Sequence, residues 1–117
     1  MEHYFSILHR ETENRFWINN PTAPEIDLAI RHGAIACTTN PAYCSRLLSV
    51  EPDYMRNLID ATVEQVCDVD EVAVLVYQRV VQRIMREFRP VWDRSGGTEG
   101  YVTIQLCLLY TSDAADE

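Results

Sequence analysis

Lysine is absent from this 117-residue chain, and arginine supplies all ten basic residues. Chemistry that needs a side-chain amine nucleophile is therefore excluded from the chain as written. Cysteine is sparse and unpatterned: Cys37, Cys44, Cys67 and Cys107 form no CxxC pair, which points to reduced thiols in a cytoplasmic protein rather than to disulfides or zinc. His3, His9 and His32 lack an HExxH-type spacing, so no metal site is expected. The Gly96-Gly97 pair stands in neither a GxGxxG nor a GxxxxGK context and reads as a loop. No run approaches the roughly 18 apolar residues of a membrane span, and the opening MEHYFSILHRETENR lacks the basic-then-apolar layout of a signal peptide. A net charge of −8 argues against a nucleic-acid surface. Internal repeats and low-complexity segments are missing too.

What is present is organised around residues 32–48, HGAIACTTNPAYCSRLL. Gly33 suits the left-handed stop of a preceding helix. Ala34 to Cys37 is a four-residue apolar run, the length of a short buried strand. Asn40 then suits an N-cap and Pro41 a first helical residue. This order is the α/β repeat, and it puts Thr38, Thr39 and Asn40 at the carboxyl end of a strand, where such folds keep ligand-binding groups.

Upstream, residues 1–14 are weakly patterned, and Arg15 to Ile18 predicts a first strand ended by Asn19-Asn20-Pro21. Thr22 and Glu25 have capping-box spacing ahead of a helical stripe of Ile26, Ala29 and Ile30. Downstream, Pro41 opens a helix carrying Leu47 and Leu48, and residues 53–67 predict another. Asp70 is the expected N-cap of a long helix that runs to about Phe88 on Tyr77, Val80, Val81, Ile84 and Met85. Gln78, Arg79, Gln82, Arg83, Arg86 and Glu87 form its polar face. Pro90 or the Ser95-Gly96-Gly97 loop ends it, and Tyr101 to Gln105 alternates like a third strand. Strands alternating with helices imply a parallel sheet.

The last eleven residues, CLLYTSDAADE, resemble the translation of a sequencing-library adapter. Residues 1–106 are accordingly read as the domain and residues 107–117 as a non-native tail. Without Asp113, Asp116 and Glu117 the acidic count falls by three, from 18 to 15, and the net charge from −8 to −5.

The segment HGAIACTTNPAY, set between a preceding strand and a later GYVTIQ strand, resembles the start of the transaldolase family. That family includes transaldolases and fructose-6-phosphate aldolases, and the resemblance covers residues 15–105. It implies an α/β fold, the truncated and helix-rich N-terminal part of a (β/α)8 TIM barrel. It implies sugar-phosphate substrates of the pentose phosphate pathway and no external cofactor. A strand lysine forms a Schiff base with the ketose, and a three-carbon dihydroxyacetone unit passes to an aldose. That lysine is missing here, so this fragment is expected to be inactive by itself. The parent is compatible with a homo-oligomer.

Carried over by residue, Asn40 matches an Asn that binds substrate hydroxyls, with Thr38 and Thr39 beside it. A capping role alone also accounts for Asn40. Asn19 stands where the family has a proton-transferring Asp, and an amide cannot take or give that proton at neutral pH. Gln105 stands where transaldolases have a Glu that holds the catalytic water. It can orient a water but not act as a base. Asp27 reads as solvated on its helix, Cys37 as inert core, and the Arg79/Arg83/Arg86 row as a solvated face. The rival reading is a non-catalytic, helix-rich binding module. A truncated parallel sheet has an open edge and an uncovered apolar face, so residues 1–117 are expected to be poorly soluble or molten. Cooperative thermal unfolding of a monomer, seen by calorimetry, would contradict this.

Overall fold

A computed structural model describes residues 3–105; the segment read as adapter-derived lies outside them. The chain runs α1 (Tyr4–Glu11), β1 (Trp17–Asn19), α2 (Ala23–Arg31), β2 (Ala36–Thr38), α3 (Ala42–Val50), α4 (Pro52–Gln65), α5 (Val69–Arg94) and β3 (Tyr101–Thr103). The strands form one parallel sheet in the order β1-β2-β3, with Ile18 opposite Cys37 and Cys37 opposite Val102. The expected barrel segment is thereby corrected. Five helices and an open three-stranded sheet are present among the described residues, and no TIM barrel is evident in them. Closure needs strands enough to wrap round on themselves, and here β1 and β3 are both edges among the described residues.

Core formation centres on α5. Val76, Tyr77, Val80, Val81, Ile84, Phe88 and Val91 are buried at helical spacing and pack with Cys37, Tyr43, Leu47 and Met55. Ile18 and Val102 approach the same cluster from the sheet. Burying one such side chain contributes about 1.5–3 kcal/mol. The alternate residues Trp17, Asn19 and Thr103 turn to the other sheet face and are exposed. Pro90 does not end α5, which continues four residues to Arg94. The carbonyl its ring deprives of a donor is that of Arg86, an exposed residue. The helix stops where Gly96 and Gly97 take positive φ, with Gly97 N–H donating to Trp92 O at 3.0 Å. Its N-cap is Asp68, not Asp70: the Asp68 carboxylate accepts from Asp70 N–H at 3.2 Å.

Elsewhere, β1 and β2 sit one to two residues later than their apolar runs suggest. Thr22 and Glu25 form the capping box, with Thr22 N–H donating to Glu25 Oε2 at 3.0 Å. Helix α1 departs most from the sequence reading, for it occupies the weakly patterned start and buries no side chain. It is held from outside by stacking of Phe5 on Phe16 (4.0 Å) and His3 on His32 (4.1 Å), and by a His9–Glu99 contact of 3.1 Å. Gly33, at φ 104°, lets α1 approach, because a Cβ there would lie 2.8 Å from Ser6 Oγ.

Of the Arg row, Arg86 is exposed on a solvated face, but Arg79 and Arg83 are not. Arg83 reaches both oxygens of Glu51 at 2.9 Å and lies over the Tyr54 ring at 4.0 Å, while Arg79 bonds Thr62 Oγ1 at 2.7 Å and Gln65. Glu51 also accepts from Ala23 N–H at 3.3 Å, so one carboxylate joins α5, α2 and the α3–α4 junction. The Arg83 hydrogen bonds hold the Glu51 carboxyl below its ordinary 4.5, against the opposing effect of burial. A depressed carboxyl adds stability that is full above its unfolded pKa and is lost as pH falls through the folded one. Melting temperature should therefore fall as pH drops below about 4.5. Glu51→Gln should cost on the order of 2 kcal/mol at pH 7 and flatten that acid limb. An acid limb of unchanged slope in the variant would show that Glu51 does not carry it.

Candidate functional site

Where β1 ends, the chain turns through Asn19-Asn20-Pro21, and Asn20 takes a φ of 49°. Asn tolerates this left-handed conformation better than other non-glycine residues. Where β2 ends, it passes through Thr38-Thr39-Asn40-Pro41. Parallel register sets Asn19 against Thr38, so the two exits lie side by side. Each residue of the first exit is then held by one from the second. Thr38 Oγ1 donates to Asn19 Oδ1 at 2.9 Å. Asn20 Nδ2 donates to Asn40 Oδ1 at 3.0 Å, and Asn40 N–H returns to Asn20 Oδ1 at 3.1 Å. The Tyr43 hydroxyl donates to Pro21 O at 2.6 Å. Arg46 adds a bond to Asn20 O and a 2.8 Å ion pair with Glu25.

The β3 side is joined through Thr39, whose side chain is only 1% exposed. Its hydroxyl donates to Thr103 O at 2.8 Å and lies 3.1 Å from the Tyr77 hydroxyl. Tyr77 in turn donates to Gln105 O at 2.9 Å and accepts from Gln105 N–H at 3.2 Å. Two hydroxyl protons thus serve three oxygen–oxygen contacts, so one contact lacks a proton at any moment.

Asn19, Thr38 and Asn40 are therefore brought together, with Asn20 added. Thr39 points into a buried network, and Gln105 is anchored by its backbone at the exit of β3 with its side chain exposed. Helix α3 begins at Ala42, with Pro41 as its cap residue, and Asn40 Oδ1 accepts from Ala42 N–H at 3.0 Å in an Asx turn. The Asn40 Nδ2 group makes no hydrogen bond among the described residues and is a free donor pair. This cluster consists of amides and hydroxyls. It can orient a hydroxyl-rich ligand, but none of its groups transfers a proton at neutral pH.

Ionisable neighbours do not supply that function. Glu25 is held ionised below its ordinary value, first by the Thr22 backbone N–H and also by Arg46. Burial pushes the Cys37 thiol up to about 12, which leaves it inert. Asp27 pairs with Arg31 at 3.0 Å on the exposed face of α2. Cys37, Cys44 and Cys67 are free thiols, and no group of three His, Cys, Asp or Glu gathers as a metal site among the described residues.

Four contributors escaped the sequence reading: Asn20, Tyr43, Arg46 and Tyr77. A polar tip within the apolar stripe of α5 was the available signal for Tyr77. Comparison with protein-family models, with curated proteins and with solved structures finds no match to this chain. Tyr77→Phe should lower stability by about 1–2 kcal/mol and speed amide exchange at Gln105 relative to core amides. Unchanged exchange at Gln105 would mean that the hydroxyl does not anchor the end of β3.

Proposed function

We propose that this chain is the amino-terminal part of a transaldolase-like enzyme that moves a three-carbon dihydroxyacetone unit between sugar phosphates in the cytoplasm. The observation that supports this most is the bonding of TTN to the NNP turn, with the unpaired Asn40 Nδ2 group beside it. Asn40 and Thr38 bind substrate hydroxyls, and Gln105 orients a water. Asn20, Thr39 and Tyr43 hold those residues in position. No external cofactor enters this reading, because the protonated imine formed by a lysine with the ketose carbonyl is the electron sink. The lysine belongs to chain that follows Gln105 in the parent protein. With Asn19 in place of a carboxylate, proton transfer falls to another group of the parent.

The test starts from the parent gene, read in frame past codon 106, and the protein it encodes. Borohydride reduction with fructose 6-phosphate should trap the three-carbon dihydroxyacetone unit, without its phosphate-bearing aldose partner, on one lysine of that protein and on no residue of 1–117. In the parent, Asn40→Ala should cut kcat/KM by about 10- to 100-fold, the loss of a hydrogen bond or two to a hydroxyl. A parent that forms no adduct would overturn the proposal. The lysine-free, proton-neutral cluster would then be better read as part of a helix-rich binding module.

A further inference from the structure

From Asn20 N–H to Ala23 N–H, every backbone polar group between β1 and α2 is bonded. Asn20 N–H donates to Thr38 O at 3.1 Å, and Thr22 O accepts from Ile26 N–H at 3.0 Å. Side chains serve the others. Arg46 donates to Asn20 O and the Tyr43 hydroxyl to Pro21 O, while Thr22 N–H donates to Glu25 Oε2 and Ala23 N–H to Glu51 Oε2. This hold accounts for the φ of 49° at Asn20, since a non-glycine residue keeps such a conformation only where its surroundings fix it.

Both carboxylates in the set are gripped by arginines, and the two pairs are unequal. Arg46 and Glu25 are 40% and 48% exposed, so water screens their attraction. Arg83 and Glu51 are 16% and 19% exposed, and the guanidinium takes both oxygens at 2.9 Å. This inner pair is costly to keep. Two charges leave water, and the buried Arg83 Nε has no hydrogen-bond partner among the described residues. Apolar side chains would fill the same volume without that cost. They could not hold an acceptor on Ala23 N–H.

We infer that Arg83 and Glu51 are positioning residues for the Asn20–Asn40 amide pair, acting through the turn that follows β1. Glu51 fixes the far end of that turn at Ala23, and Arg83 fixes Glu51. The Arg83 charge also bears on the Tyr43 hydroxyl, which holds Pro21 O. With the turn held beyond Asn20, the Asn20 carboxamide stays in register with Asn40, accepting from its N–H and donating to its Oδ1. The Asn40 Nδ2 group is thereby kept in one place. Only the identity of the hydroxyl that Nδ2 would meet rests on the functional reading; the positioning is a property of this chain.

Amide hydrogen exchange of the full chain, followed by NMR with no substrate present, tests this separately from Schiff-base formation by the parent. The Asn20 and Asn40 amides bond to neither Arg83 nor Glu51. Their protection is taken as a ratio to that of Val80 and Phe88 in the core of α5. A general loss of stability does not lower this ratio, because it exposes the core amides at least as much. Replacing the pair together, Glu51→Met with Arg83→Met, should leave the melting temperature at pH 7 close to that of the unmodified chain. The same double variant should lower the ratio about tenfold at both amides. Arg83→Lys keeps the charge but not the grip on both oxygens, and should lower the ratio by about threefold. A lower melting temperature with an unchanged ratio would assign the pair to stability alone and overturn the inference. An unchanged ratio in Arg83→Lys would do so where the double variant does not fold. Asn20 and Asn40 amides already unprotected in the unmodified chain would overturn it as well.

Discussion

Everything in this molecule depends on one stripe of α5. Val76, Val80, Ile84, Phe88 and Val91 recur every three to four residues, and the side of the helix they define is what the sheet, α2, α3 and α4 pack against. The sheet is too short to hold itself, with three residues in each strand. A pair or triplet of such strands is marginal in water, and packing against a helix is what makes it stable. The ion pair of Arg83 with Glu51 then sets how α5 lies across its neighbours, because Glu51 sits where α3 gives way to α4 and touches the start of α2.

At the carboxyl end of the strands, the same residues serve structure and candidate chemistry. Thr38, Asn40 and Tyr43 each spend a polar group on the turn after β1, which leaves Asn40 Nδ2 without a partner among the described residues and the Asn19 and Gln105 side chains exposed. A polar cluster bonded internally on one side keeps its geometry without a ligand, and so spares a ligand part of the ordering cost.

Local rules made much of the chain legible. The capping box at Thr22, the stop at Gly33, the stripe of α5 and the existence of three strands all follow from spacing within a few residues. Residues whose partners are distant in sequence were not legible. Arg83 looks like any polar residue on a helix until Glu51, thirty-two positions away, is brought to it. Tyr43 and Asn20 are separated in the same manner from the groups they hold or are held by. Helix α1 has no buried stripe to announce it, and its supports come from three separate segments. The barrel expectation came from the small number of strands in the chain and from family resemblance, and neither reports on closure. Periodicity alone implied the parallel sheet that is present.

Helix α1 illustrates how uneven the stability of such a chain is. Two ring stacks and one His–carboxylate contact hold it, and none of its side chains enters the core. Its opening is therefore a local event, far smaller in free energy than unfolding of the α5 core. Because Phe5 lines a cleft of about 500 Å³ with Phe16, Ile18 and Leu28 beside β1, each such opening also uncovers Phe16 and widens that cleft. The breathing of one short helix thus sets how often the edge of the sheet is fully accessible.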